Sequence, residues 1–301
     1  MECLLCGSSD LTFLEEIKKK DLLILYKKLT GEDFSYLIND DLKYYLCNNC
    51  KLKFYFPVVS GDEKFYNCLQ KFDWYYLSDK YEFDYAKKFI KKEDYVLEIG
   101  AGRGLFAKKI STNKYIGLDT SKKAQELASK EGIKIENETI EEHAKQKSDF
   151  YDVVCCFQVL EHVPNPKSFL AASIKVLKKD GLLIISVPSE DSFLKYATNN
   201  ILNMPPHHVT RWSNITLEYL STIFNLDIVE ICHEYVSEIH KKWYISTLIQ
   251  SLLLTPKLLD LTIKRKLISK FSLFLSNILI GRFKKEFFPN GHTVIGVFKK
   301  K

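Results

Sequence analysis

Three sets of residues in this chain have types and spacings that could do chemistry. Cys3-Leu4-Leu5-Cys6 and Cys47-Asn48-Asn49-Cys50 are two C-x-x-C knuckles with 40 residues between them. Each can turn two thiolates toward one ion, and four would close a structural, tetrahedral zinc site. Gly7 after Cys6 suits such a knuckle, while Lys51 in the matching place after Cys50 is a small departure. The second set is the run Glu98-Ile99-Gly100-Ala101-Gly102-Arg103-Gly104, followed by Asp119-Thr120. Glycines let a ligand lie against bare main chain, and a carboxylate at the next strand end can accept from both hydroxyls of a ribose. The third set is Glu161-His162 with Pro205-Pro206-His207-His208-Val209-Thr210-Arg211-Trp212. An imidazole titrates near neutrality and can take a proton from a hydroxyl.

The elements around these residues must hold them in place. Tyr95 to Ile99 reads as a short buried strand, and a helix over 103–110 would put Leu105, Phe106 and Ile110 on one face. Strand, glycine loop and helix begin a nucleotide-binding α/β unit. A dinucleotide fingerprint would need its third small residue at position 105, which is Leu105. The pattern continues as strand 114–118, helix 121–131, strand 133–136, helix 139–146, strand 150–157, helix 166–178, strand 182–187, helix 213–223, strand 226–234 and a last strand from His292 to Lys299. Such alternation implies a mostly parallel sheet with helices on both faces and a ligand at the carboxyl ends of its strands. Asn165-Pro166 is a helix start and Asp180-Gly181 a stop.

Glu98 to Gly104 with Asp119 resembles the class I S-adenosylmethionine (SAM)-dependent methyltransferases. Asp152 to Val163 resembles their fourth strand and the segment after it, and Leu177 to Pro188 their fifth strand and its approach. The resemblance spans roughly residues 80–235 and the last ten. It implies a Rossmann-like α/β fold and SAM held by Glu98, Gly100, Ala101, Gly102, Arg103, Gly104, Asp119 and Thr120. It also implies Ile140 beside the adenine and Gln158 near the methionine part. Zinc-knuckled bacterial methyltransferases acting on sugars are similar in carrying tyrosines ahead of the catalytic domain, which singles out Tyr75 and Tyr76 as acceptor contacts. The expected reaction is O-methylation of a sugar or glycan intermediate, nucleotide- or lipid-linked. His207 or His208 is then the base, His162 a further catalytic candidate, and Glu161, Arg211 and Trp212 acceptor contacts. Readings that stay open are an RNA methyltransferase, a nucleotide-sugar C-methyltransferase and a SAM-binding scaffold without turnover.

Composition sets bounds on these readings. The 301 residues allow one catalytic domain with accessory pieces. The expected division is a zinc-binding module with an aromatic linker over 1–79, the SAM-binding domain over 80–234, a helical insertion over 235–290 and the last strand over 291–301. Only four of 44 basic residues are arginine, which argues against a designed nucleic-acid surface. Net charge is +6, yet residues 241–286 alone carry ten Lys/Arg against two acids, among leucine- and phenylalanine-rich runs. A basic apolar segment of this kind suits a contact with an anionic membrane surface or a homodimer contact. The N-terminus lacks the basic and apolar regions of a signal peptide, and no uncharged apolar run reaches the ~18–20 residues of a membrane span. The expected location is cytoplasmic, with the inner membrane face as a further possibility. Reduced or metal-bound cysteines are expected there, and Cys155 and Cys156 read as packing residues in a strand.

Overall fold

In the computed structural model, which describes residues 1–72, 80–282 and 290–301, the chain forms two sheets. Strands β1 (Leu11–Ile17), β2 (Leu42–Cys47) and β3 (Lys53–Phe56) pair antiparallel in the N-terminal one. Helices α1 (Lys19–Thr30) and α2 (Glu63–Leu69) share a buried cluster with it, built on Leu22, Tyr26, Phe34, Tyr55 and Phe65. Gly31, at φ 79°, closes α1 in the left-handed conformation, and the Asp62 carboxylate caps α2 by accepting from the Phe65 N–H. A short helix, α3 (Tyr81–Ala86), leads into the second sheet.

The second sheet takes its strands from β4 (Val96–Ile99), β5 (Tyr115–Leu118), β6 (Ile135–Glu136), β7 (Tyr151–Phe157) and β8 (Leu177–Pro188). A two-residue strand, β9 (Thr210–Arg211), joins the first sheet by pairing with β3, while β10 (Leu226–His233) and β11 (Thr293–Lys300) complete the second. The order is β10-β11-β8-β7-β4-β5-β6. The five strands from β6 to β8 run parallel and β11 runs antiparallel to both neighbours. Helices α4 (Lys122–Ser129), α5 (Ile140–Gln146), α6 (Pro166–Lys175) and α7 (Asn214–Phe224) make the connections. Continuous apolar runs suit strands covered on both faces. Leu97, Val154 and Cys156 belong to one buried cluster, and Val96, Val153 and Cys155 to another. The expected mostly parallel α/β sheet is thus present, and both strand cysteines are core packing residues.

Two expectations about elements fail. The helix over 103–110 shrinks to one 3-10 turn, Ala107–Lys109, because Gly100, Gly102 and Gly104 all adopt positive φ and use the segment for a loop. The helix from 166 stops at Lys175, and β8 begins two residues later, well before position 182. Beyond β10, helices α8 (Glu238–Leu253) and α9 (Ile263–Leu279) lie against each other through buried serines, with Ser246 Oγ 2.9 Å from Ser272 Oγ. Ile263, Leu267, Phe271, Phe274 and Ile278 follow helical spacing along α9 and are all exposed. That stripe is where a membrane-surface or homodimer contact of 241–286 would fall. Among the described residues, no helix is long and apolar enough to cross a membrane.

Candidate active site

A cavity of about 1300 Å³ opens at the carboxyl ends of the parallel strands. At one end the wall is backbone. Gly100 (φ 72°) and Gly102 (φ 53°) line it, and a Cβ on Gly100 would come within 2.4 Å of Val159 Cγ2. Asp119, at the end of β5, accepts from the Gly102 N–H and the Ser121 N–H, each at 2.8 Å. Burial pushes its pKa up, and the two N–H bonds act in the opposite direction. Thr120 and Ile140 line the same end. Gln158, after β7, is held at φ 56°, a conformation costly for a side-chain-bearing residue. Among the described residues, its buried Nε2 finds no hydrogen-bond partner.

These features fit a SAM-like ligand. There is bare backbone to lie against, a carboxylate whose oxygens keep lone pairs for hydroxyls, and a lining residue, Gln158, whose amide donor has no partner among the described residues. The remaining residues expected here do not line the cavity. Glu98 is buried under the loop, where its carboxyl accepts from the Tyr115 hydroxyl. Burial raises its pKa to about 8. Ala101 is buried, Gly104 approaches Ile133, and Arg103 is exposed. They shape the turn that presents Gly100 and Gly102.

At the other end the wall is made of side chains from distant segments. His162, His207 and His208 cluster with ring centroids 4.5–4.7 Å apart. Glu161 lies beside them, 1% exposed, with neither carboxylate oxygen hydrogen-bonded among the described residues. Burial raises its pKa to about 8. Ionising a carboxyl held that far above its ordinary range costs on the order of 5 kcal/mol relative to water. Burial also holds all three imidazoles below their usual range, His162 at about 4. Tyr66 of α2 brings its hydroxyl to 3.2 Å from His162 Nδ1. His240 and Trp243 of α8 and His292 before β11 line the cavity as well.

The N-terminal sheet places the histidine loop. Tyr55 N–H donates to the Val209 carbonyl at 3.2 Å, and Val209 N–H to the Glu161 carbonyl at 2.8 Å. Gly61 N–H donates to the Pro206 carbonyl, and the Tyr26 and Tyr55 hydroxyls to carbonyls of Ile201 and Asn203. Arg211 and Trp212 therefore need correcting as acceptor contacts. Arg211 is 5% exposed and donates through Nε and Nη2 to the Asn203 carbonyl, with Tyr44 and Tyr55 under its guanidinium. Trp212 is fully buried and donates to Thr210 Oγ1. Both clamp the loop. Tyr75 and Tyr76 lie outside the described residues. Tyr66 and Asn203 escaped the sequence reading, Tyr66 because it was one of many aromatics and Asn203 because nothing local marks it.

At the far edge of the N-terminal sheet, Cys3, Cys6, Cys47 and Cys50 bring their sulfurs within 4.8 Å of one another, with Cys3–Cys50 and Cys6–Cys47 at 3.5 Å. A tetrahedral zinc with Zn–S bonds of about 2.3 Å separates its sulfurs by about 3.8 Å, so the four residues fit that ion. Cys3, Cys47 and Cys50 share a buried cluster with Trp212, linking the knuckles to the histidine loop.

Comparison with known proteins adds the following. A family described as "Methyltransferase domain" matches residues 69–231, more than half of the chain. A ubiquinone biosynthesis O-methyltransferase of Vibrio atlanticus is 35% identical over 119 residues, covering 37% of this chain and 47% of that protein. The Salmonella paratyphi A protein of the same name is 36% identical over 99 residues, covering 30% of this chain and 41% of its own. The chain thus spans less than half the length of these curated relatives. A SAM-dependent methyltransferase from Archaeoglobus fulgidus aligns over 72% of this chain and 94% of its own, with 17% identity and a TM-score of 0.47.

Proposed function

This chain belongs to the methyltransferase-domain family, and on that premise we propose that it transfers a methyl group from SAM to a hydroxyl of a sugar or glycan intermediate, nucleotide- or lipid-linked. The observation that carries the proposal is one cavity joining a glycine-and-carboxylate end to a histidine-and-carboxylate end. SAM supplies a methyl on a positive sulfur, displaced in line by the acceptor oxygen while the sulfur keeps the bonding electron pair. The protein's task is then placement and water exclusion, with uptake of the hydroxyl's proton. Gly100, Gly102, Asp119 and Gln158 hold the donor, and the proton passes to the cluster of His162, His207, His208 and Glu161. Asn165, Asn200, Asn203 and His240 give the acceptor end many polar groups, which favours a polyhydroxyl acceptor. Structural zinc on the four cysteines belongs to the same proposal. A second reading, an intermediate of ubiquinone biosynthesis as acceptor, is favoured by the names of the curated relatives.

The test is transfer of labelled methyl from SAM into fractions of source-cell extract, with Asp119→Ala as the blank. Nucleotide sugars, lipid-linked glycans, quinone lipids and RNA are separated. Label in a sugar-bearing fraction is expected. Label in quinone lipids alone selects the second reading, and label in RNA alone, or none above the blank, overturns the proposal.

A further inference from the structure

The histidine end of the cavity has a donor arrangement that proton uptake alone does not require. Each of the three rings turns its Nδ1 toward an oxygen that can only accept. His162 Nδ1–H donates to the His207 carbonyl at 2.5 Å, His207 Nδ1–H to the Leu202 carbonyl at 2.7 Å, and His208 Nδ1–H to Asn203 Oδ1 at 3.0 Å. This fixes one tautomer three times over and leaves each ring's electron pair on Nε2. One nitrogen from each ring lies within 4.8 Å of the other two. Glu161 Oε1 is 3.8 Å from His162 Nε2 and 3.9 Å from His208 Nε2, and among the described residues nothing hydrogen-bonds either of its oxygens. The three rings stand close enough for one nitrogen of each to reach a common ion, and oxygens behind the rings orient them. Metal-ligating histidines are held in this way.

We infer that His162, His207 and His208 bind a divalent first-row transition ion at the acceptor end of the cavity, with Glu161 beside it. Three imidazoles with an open fourth position are a common catalytic zinc ligand set. Imidazole nitrogens also suit iron and cobalt ions, whereas magnesium and calcium prefer all-oxygen shells. The site is distinct from the four-thiolate cluster, whose ligands would already fill a tetrahedral shell. The ion's role rests on the proposed methyl transfer. Bound to the acceptor oxygen, it would lower the pKa of the hydroxyl. The imidazoles would then be ligands in place of bases.

The experiment uses the full chain stripped with a chelator and titrated with Co2+. Thiolate-bound cobalt absorbs strongly in the near ultraviolet, whereas nitrogen- and oxygen-bound cobalt shows only weaker visible bands, so the two sites read out separately. The wild type should take up a second equivalent that gives visible bands alone. His162→Ala and His208→Ala should each lose that equivalent while keeping the thiolate signal and SAM binding, which report that the chain is folded. Asn203→Ala keeps all three ligands but frees the His208 ring, and should weaken the ion roughly 10–100-fold. Uptake at the thiolates alone, or a second equivalent that survives both histidine substitutions, overturns the inference. Methyl transfer at the wild-type rate by protein loaded at the thiolates alone removes the ion from the reaction and leaves the proposed function standing. Metal binding without transfer into any fraction does the reverse.

Discussion

The two ends of the cavity are built by different rules. At the glycine end, a strand, a turn and the tip of the neighbouring strand suffice. Asp119 is satisfied by two main-chain N–H groups from the same loops. At the histidine end, one wall draws on α2, the segment after β7, the loop before β9, α8 and the start of β11. Among the described residues, nothing hydrogen-bonds the Glu161 carboxylate there. The first end is a property of a βαβ unit and could be transplanted with it. The second exists only while the N-terminal sheet grips the histidine loop through β9 and Arg211. A site that recognises a donor shared by many enzymes can be local, whereas a site that selects its own acceptor is assembled from tertiary structure.

The largest expected effect tests that dependence. In Cys3→Ser with Cys47→Ser, the zinc content measured by elemental analysis should fall by one equivalent. Structural zinc is worth about 10 kcal/mol or more to small domains, so thermal melting should drop steeply and β2 and β3 should lose their anchor. Hydrogen exchange should rise first at Val209 to Trp212 and later at β4. Equal protection of the histidine loop in the variant would dissolve the distinction between the two ends.

A smaller effect lies beneath the glycine loop. Glu98 is buried with a pKa raised to about 8, so the unfolded chain ionises it near its ordinary value while the folded chain resists. The folded state therefore has its full share of stability below pH ~4.5 and loses it as pH rises through about 8. Glu98→Gln keeps an acceptor for the Tyr115 hydroxyl and removes the ionisation. From pH 5 to pH 8 the wild type should lose stability relative to this variant, by up to roughly 1 kcal/mol per pH unit, as read by urea unfolding. Parallel pH profiles would show that Glu98 is ionised in the folded protein.

The same contrast explains what could be read from the sequence. The alternation of strands and helices, the glycine loop and the place of Asp119 at a strand end were legible because periodicity and short-range spacing encode them. The exceptions are instructive. Glycines at 100, 102 and 104 consumed the first turns of an expected helix, and Glu98 turned from ligand contact to buried support because a strand residue two before the turn points into the core. His207 and His208 were recognisable as loop histidines, but their company was not. Glu161 is 46 residues upstream of His207 in the chain, and Tyr66 comes from another sheet's helix. Arg211 and Trp212 looked like acceptor contacts because they are polar and aromatic beside histidines. A two-residue pairing with β3 takes in Arg211, and a bridge to Ser189 brings Trp212 into the core, neither of them visible in the sequence.

Calorimetric titration of SAM into the wild type, Asp119→Ala and the His207→Ala/His208→Ala double variant tests the central claim without needing the acceptor. Loss of the Asp119 carboxylate should weaken SAM by about 10–100-fold, the worth of one or two charge-assisted hydrogen bonds. The histidine variant should bind SAM within about two-fold of wild type, a difference under about 0.5 kcal/mol. SAM affinity that falls with the histidines, or that survives Asp119→Ala unchanged, would contradict the assignment of donor and acceptor to opposite ends of the cavity.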